Sequence, residues 1–236
     1  MLKQSQLKNV PAGTTFEVWN HKFTVLKQEE GKVFVLAAEF ATTMRFRDED
    51  KEYAVAPNDF RDSSVKEYLN GEYIDELVDA GANRNEDILP LTIDLKCTMG
   101  QHEYGTDTVS AGLLTLEQYG KYFDIIPKAD CAWWLATPYS TPMRSPYTYN
   151  ANYVWLVFTD GDYNDYNYYY PYGVRPALNL NPSLLVSWEC TDKEKNCGDC
   201  HSLAECTNDE LIAELQRRLQ EKKGKAQIAL DNKRRD

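Results

Sequence analysis

Between Thr15 and Ala38 apolar and polar residues alternate through FEVWNHKFTVLKQEEGKVFVLAAEF, a period of two rich in Val and Phe. This pattern predicts two or three short strands, opening as a hairpin with a turn at Glu30-Gly31. The period changes after Asp62-Ser63-Ser64. There Val65, Tyr68, Leu69, Ile74 and Leu77 recur at helical spacing and Gly81 is placed to end the helix. The internal Asn70-Gly71 predicts one helix broken in two. A short strand, ILPLTIDL, and a long polar loop from Thr98 to Thr108 follow. The segment LLTLEQYGKYFDII then predicts a second helix, capped by Thr115, with Leu116, Tyr119 and Phe123 facing inward. From Cys131 the run CAWWLATP reads as a compact aromatic strand. ANYVWLVFTDGDYNDYNYYYPYGVRPALNL reads as two strands around a Gly-containing turn. Helix and strand mix without a βαβ rhythm, so the expected class is α+β with short strands, two main helices and long loops.

The tail has a different character. ECTDKEKNCGDCHSLAEC holds four of the six cysteines, and Thr207 to Glu210 forms a capping box. The helix expected after it places Leu211, Ile212, Leu215 and Leu219 on one stripe. Such a stripe needs a partner, either the main domain or another chain. These features predict a division into residues 1–186 and a Cys-rich, helical appendage over 187–236. Cys190, Cys197, Cys200 and Cys206 stand at C-x6-C-x2-C-x5-C spacing, the donor set for a structural zinc ion. Four thiolates would leave no open position for water. Disulfides formed after release from the cell, or four unrelated thiols, are the alternatives.

Charge narrows the partners. The formal net charge of -11 argues against a general nucleic-acid surface and leaves protein, carbohydrate or small-molecule ligands. No stretch approaches the roughly 20 consecutive apolar residues that span a bilayer. The N-terminal MLKQSQLKNVPAGT lacks the apolar centre of a secretion signal. Synthesis in a cytoplasm is therefore expected, with carriage on a phage particle as one route outward. His21, His102 and His201 lie far apart, and no GxSxG, Gly-rich phosphate loop or HExxH occurs. Asp160-Gly-Asp162-Tyr-Asn164 opens like a calcium loop, but Asp165 and Pro171 stand where that loop needs glycine and glutamate, so a polar turn is expected.

The strongest signal is composition within one segment. Tyr147 to Tyr172 holds nine Tyr, four Asn and three Asp in 26 residues. Side chains alternate across a strand, so consecutive tyrosines cannot all face one core and many must be exposed. Exposed tyrosine offers a large, stiff, amphipathic contact, and Asn and Asp add adaptable hydrogen bonds, as in antibody paratopes. Asn, Tyr and Asp also share codons differing only at the first base. Leu156, Phe158 and Pro171 follow from an asparagine codon by changing both adenines.

WWLATP (Trp133 to Pro138), NANYVW (Asn150 to Trp155), the polar run after Asp160-Gly161 and GVRPAL (Gly173 to Leu178) together resemble the variable proteins of diversity-generating retroelements, in the branch common in gut bacteria and their phages. The resemblance extends upstream through Asn70, IDL at Ile93 to Leu95, YGTD at Tyr104 to Asp107, and LLTLEQYGKY. It implies a C-type-lectin-like fold whose binding face is rewritten by adenine-directed mutagenesis. The variable region would span about residues 139–178. The implied ligand-binding positions are Tyr147, Tyr149, Asn150, Asn152, Leu156 and Phe158, then Asp162, Tyr163, Asn164, Asp165, Tyr166, Asn167, Tyr168, Tyr169, Tyr170 and Tyr172. Trp133, Trp134, Trp155, Gly173, Arg175 and Pro176 would be fixed scaffold.

The implied function is noncatalytic recognition of a variable protein or carbohydrate ligand on a cell surface. One rival is a constant carbohydrate-binding or structural domain. Another is an oxidase of the formylglycine-generating kind, which shares the fold family and needs reactive cysteines, here Cys97 and Cys131.

Overall fold

The computed structural model describes residues 2–48, 56–142 and 151–189. The chain divides into two units, Met1–Glu189 and Cys190–Asp236. The second falls outside the described residues, and with it the four tail cysteines and the expected amphipathic helix. The first unit is α+β and rich in sheet.

In chain order the strands are β1 (Leu2–Gln6), β2 (Thr15–Val18), β3 (His21–Glu29), β4 (Lys32–Ala37) and β5 (Thr42–Arg45), followed by helices α1 (Ser64–Asn70) and α2 (Glu72–Asp79). Next come β6 (Ile88–Leu89), β7 (Leu91–Asp94), β8 (Thr106–Val109), β9 (Ala111–Gly112) and helix α3 (Leu116–Tyr122). The C-terminal part carries β10 (Trp133–Pro138), β11 (Tyr153–Val157), β12 (Tyr163–Asn167), β13 (Pro171–Val174), β14 (Ala177–Leu180) and β15 (Leu185–Glu189).

One sheet runs β1-β15-β2-β3-β4-β14-β6, with β9 also paired to β14. A second runs β12-β11-β10-β13-β5, and β7 pairs with β8 alone. Within the second sheet β10 and β13 are parallel and the other neighbours antiparallel. β15 joins both β1 and β2, which carries the first unit to Glu189 rather than to residue 186.

Local chemistry accounts for most boundaries. Gly31, at φ 78°, makes the β3–β4 turn, a conformation glycine adopts without a Cβ penalty. Ser63 caps α1 by accepting from the Lys66 N–H at 3.1 Å. Gly71 then breaks the helix before α2. Thr115 and Gln118 form a reciprocal capping box on α3. Pro90, which has no N–H for a ladder, separates β6 from β7. β8 pairs with β7, so the expected polar loop from Thr98 to Thr108 is a strand at its end. Phe123 is 52% exposed just past α3, so of the three residues expected to face inward it turns out, while Tyr119 is buried.

The β2–β3 turn is the least comfortable piece of backbone. Trp19 and Asn20 both hold the left-handed conformation, at φ 52° and 59°. A two-residue hairpin loop of this kind demands two positive φ values. For the bulky Trp19 it costs about 1–2 kcal/mol.

Asn70 ties the helices to the sheet. Its side-chain NH₂ donates to the carbonyls of Lys66 and Ala111, and its oxygen accepts from the N–H groups of Ser110 and Ala111. Asn58, fully buried, does the same for the second sheet. It donates to the carbonyls of Ser140 and Tyr153 and accepts from the Tyr104 hydroxyl at 2.7 Å.

The two large sheets meet at a double crossing. β13 belongs to one and β14 to the other, with Arg175-Pro176 between them; β4 and β5 are divided the same way. Gly173 sits at this joint beneath Phe40. A Cβ there would lie 2.7 Å from two Phe40 ring carbons and 3.1 Å from the Cys131 sulfur. Gly173→Ala should therefore lower stability by about 1–3 kcal/mol. Gly120→Ala, in α3 where a Cβ meets nothing within 4 Å, should be neutral or stabilising by up to about 1 kcal/mol. Urea denaturation of both variants checks the contrast, and equal stability of the two would contradict the packing at Gly173.

Candidate functional site

The tyrosine-rich run builds β12, the turn after it and the start of β13, at the margin of the second sheet. Alternation in Tyr153–Val157 makes β11, and its hairpin with β12 turns at Asp160-Gly161, where Gly161 has φ 94°. The Asp160 carboxylate accepts from the Asp162 N–H at 3.0 Å, so this sequence forms a self-bonded polar turn. The Tyr119 hydroxyl of α3 donates to the Gly161 carbonyl at 2.6 Å and fastens the hairpin tip to the body. The backbone of the run is bound at several further points. Tyr168 N–H donates to Asn152, Phe46 N–H donates to Tyr168, and β13 pairs with β5 from Pro171 to Val174.

Side chains on this fixed backbone divide between two faces. Residues paired directly across an antiparallel ladder share a face. Tyr153, Trp155 and Val157 therefore share one with Asn167, Asp165 and Tyr163, and Val154 and Leu156 share the other with Tyr166 and Asn164. An aromatic row marks each face. On the first, ring centroids run Tyr139–Trp155 at 6.2 Å, Trp155–Tyr163 at 5.8 Å, Tyr163–Tyr119 at 6.3 Å and Tyr119–Trp133 at 5.8 Å. On the second, Tyr170–Tyr166 at 5.5 Å leads to Tyr166–Tyr172 at 5.4 Å, Tyr172–Trp134 at 5.0 Å and Trp134–Phe46 at 5.7 Å. Most of these contacts are edge-to-face or tilted, the favourable sense of the ring quadrupoles. The first row runs from half-buried Tyr139 through exposed Tyr163, the second starts at exposed Tyr170, and both end in buried tryptophan or phenylalanine, so the outer rings rest on rigid supports.

No residue from Asp162 to Tyr172 is buried. Asp162, Tyr163, Asn164, Tyr166 and Tyr170 are exposed, whereas Asp165, Asn167, Tyr168, Tyr169 and Tyr172 are half-buried. Asn152 and Phe158 are half-buried as well. Leu156 departs from the expectation. It has 0% exposure, pairs with Trp134 in register and belongs to the packing rather than to the surface. Tyr147, Tyr149 and Asn150 lie outside the described residues. Of the scaffold positions, Trp133, Trp134, Gly173 and Arg175 are buried, and Trp155 is half-buried within the first aromatic row. Tyr139 and Tyr119 complete that row, and Tyr153 adjoins it through Tyr139 at 6.5 Å, without standing among the expected ligand-binding positions. Their signal in the sequence was proximity to WWLATP and to the helix, which says nothing of face.

A cavity of about 340 Å³ opens beside the hairpin tip, lined by Tyr119, Phe123, Phe158, Trp133, Lys128 and Arg175 among others. Arg175 is 1% exposed and stacks on Trp133 at 5.3 Å. Burial pulls its pKa down to about 10. No group of three or more His, Cys, Asp or Glu among the described residues is placed to hold a metal. No helix among them is long and apolar enough to cross a membrane.

Residues 99–182 match the family model of a domain of unknown function, DUF6273. The matched span contains β8 to β14 and hence both aromatic rows apart from Phe46. No curated protein and no solved structure is matched by the chain.

Burial, together with a hydrogen bond to Tyr166, pushes the Tyr172 hydroxyl up to about 12 from an ordinary 10.0. Burial also raises Tyr119, Tyr104 and Tyr73. A folded-state pKa above the unfolded value means that the folded chain holds protons the unfolded chain has released. Stability should therefore be fully present below pH 10 and fall as pH rises from 10 towards 12. Urea midpoints measured across that range, with tyrosinate absorbance recorded in parallel, check this. A midpoint that stays level or rises would contradict it.

Proposed function

We propose that this is a noncatalytic ligand-binding protein with a C-type-lectin-like fold, whose Tyr/Asn/Asp surface is diversified by a retroelement through adenine mutagenesis. One observation carries the reading: from Asp162 to Tyr172 the backbone is tied to β11, β5 and Phe46, while not one side chain is buried. A scaffold of this kind tolerates exchange of side chains, because surface substitutions usually change stability by only about 0.5 kcal/mol. Tyr163, Tyr166 and Tyr170 supply large exposed anchors, and Asn164 and Asp162 supply adaptable polar contacts around them. The ligand class is a protein or carbohydrate on a cell surface, with the protein carried on a phage or serving its host.

The thiols favour this reading over an oxidase. Cys97 is buried and hydrogen-bonded to Gln101 at 3.2 Å, and burial with the neighbouring Asp130 raises the Cys131 thiol, the opposite of what a reactive thiolate needs. The edge-packed rings of the two rows also suit a constant carbohydrate platform, so the discriminating measurement lies in the DNA. A near-copy of the region encoding Tyr147 to Leu178, differing almost only at adenines and accompanied by a reverse transcriptase gene, is expected. Its absence, or substitutions at other bases, would leave the constant platform standing. At the protein level, joint replacement of Tyr163, Asn164, Tyr166 and Tyr170 by other polar or aromatic residues should shift stability by no more than about 2 kcal/mol. Trp134→Ala should cost about 3–5 kcal/mol. Thermal melts of the two variants compare them directly.

The tail completes the proposal. Cys190, Cys197, Cys200 and Cys206 hold a structural zinc ion, and the helix after them attaches the domain to a partner chain or to the main domain. Metal analysis should find zinc in the full chain and none in residues 1–189. Zinc retained by the shortened chain, or lacking in both, would remove this part.

A further inference from the structure

Register with β11 fixes which backbone groups of β12 look outward. In an antiparallel ladder, pairs that exchange N–H···O bonds alternate with pairs that do not. At one end of the hairpin the Phe158 N–H donates to the Asp162 carbonyl at 2.8 Å, and at the other the Tyr168 N–H donates to the Asn152 carbonyl at 3.0 Å. The alternation then makes Leu156 with Asn164, and Val154 with Tyr166, the bonded pairs between them. Tyr163, Asp165 and Asn167 stand in the other pairs. These three turn N–H and C=O away from β11, towards an edge that carries no strand among the described residues.

Two of those outward N–H groups are already taken. The Tyr163 N–H donates to Asp162 Oδ1 at 2.9 Å, and the Asp165 N–H to Asn164 Oδ1 at 3.0 Å. Each acceptor is the side chain of the residue just before the donor, and both Asp162 and Asn164 are exposed. The outward carbonyl of Asn167 is engaged as well, by the Tyr170 N–H at 3.2 Å in the turn after β12. A strand added to this edge would need the N–H groups of Tyr163 and Asp165. The acceptors that hold them are intramolecular and bear none of the translational and rotational cost of an incoming chain.

We propose that the outer edge of β12 is a pairing surface for β12 of a second copy of this chain, and that Asp162 and Asn164 hold it shut by capping the N–H groups of Tyr163 and Asp165. A second copy fits because the outward residues are spaced symmetrically about Asp165. Antiparallel pairing centred there sets Tyr163 against Asn167 and Asp165 against its counterpart, so each outward N–H meets a C=O. In that register two Asp165 carboxylates also oppose each other, a repulsion separate from the caps. The caps act through an acceptor oxygen and not through charge, which Asn164 lacks. They use one oxygen of each side chain and leave the rest for ligand contacts. The device holds whether or not the strand is diversified.

Amide hydrogen exchange of the full-length chain, read by NMR and corrected for intrinsic rates, tests the caps. The Tyr163 and Asp165 N–H groups should exchange about tenfold more slowly than that of Asn167, which is outward and uncapped. Asp162→Ala should remove the protection at Tyr163 alone and Asn164→Ala that at Asp165 alone. Asp162→Asn, which keeps an acceptor and removes the charge, should preserve both. Sedimentation velocity at about 0.5 M sodium chloride, where repulsion between exposed carboxylates is screened, tests the closed edge. The double variant D162A/N164A should self-associate at about tenfold lower concentration than the parent, and D162N should match the parent. Both positions are exposed, so the variants keep the fold. Tyr163 and Asp165 amides that exchange as freely as Asn167, association no stronger in the double variant than in the parent, or equal association in D162N and the double variant would each overturn the proposal.

Discussion

The guanidinium of Arg175 fastens the two large sheets at the point where the chain crosses between them twice. Its Nε donates to the carbonyl of Ala37 at 2.8 Å and its Nη1 to that of Pro127 at 3.0 Å, while Nη2 reaches Ala38 at 3.5 Å. Ala37 and Ala38 begin the β4–β5 crossing, and Arg175 itself lies in the β13–β14 crossing. Backbone bonds from Ala37 to Pro176 and from Ala41 to Val174 complete the joint. The charge is buried without a carboxylate among the described residues. A carboxylate would neutralise one point, whereas three carbonyls and the Trp133 ring let one planar group hold three separate segments.

That joint explains why the tyrosine run can stand at the margin of a sheet and keep a defined shape. β13 enters the joint at Gly173, under Phe40, with its direction already set. β11 is held from behind by Asn58, and the hairpin tip by Tyr119. Each constraint acts on backbone or on a buried ring, and none acts through the outward side chains of β12. Rigidity and freedom are thereby assigned to different atoms of the same residues.

Features governed by neighbours in the chain were legible in the sequence. The broken helix follows from Gly71, the α3 cap from Thr115, the β3–β4 turn from Gly31, and the aromatic strand from WWLATP. Features governed by distant pairing were not. Nothing in LKQSQ foretells that β1 will close against β15, since that strand is specified by its partner. The tyrosine run read as one surface because composition has no sides. Register with β11 divides it, sending Tyr163 to one face and Tyr166 to the other. The same register takes Leu156 inside beside Trp134, a fate its place within a variable-looking block concealed. Phe123 erred the other way, since helical spacing no longer applies where α3 tightens into its last turn.

β12 ends its sheet, and among the described residues its outer edge pairs with no strand. Open edges invite addition of strands from other molecules, and natural proteins guard them with charge. Here Asp162 and Asp165 sit on or beside that edge. If this strand is diversified as proposed, its variants would face a filter unrelated to ligand affinity. Combinations that strip the acids and leave a flat aromatic ribbon would self-associate and be lost before any encounter with a target. On the proposed reading, solubility along one strand edge would limit which variants of this strand persist.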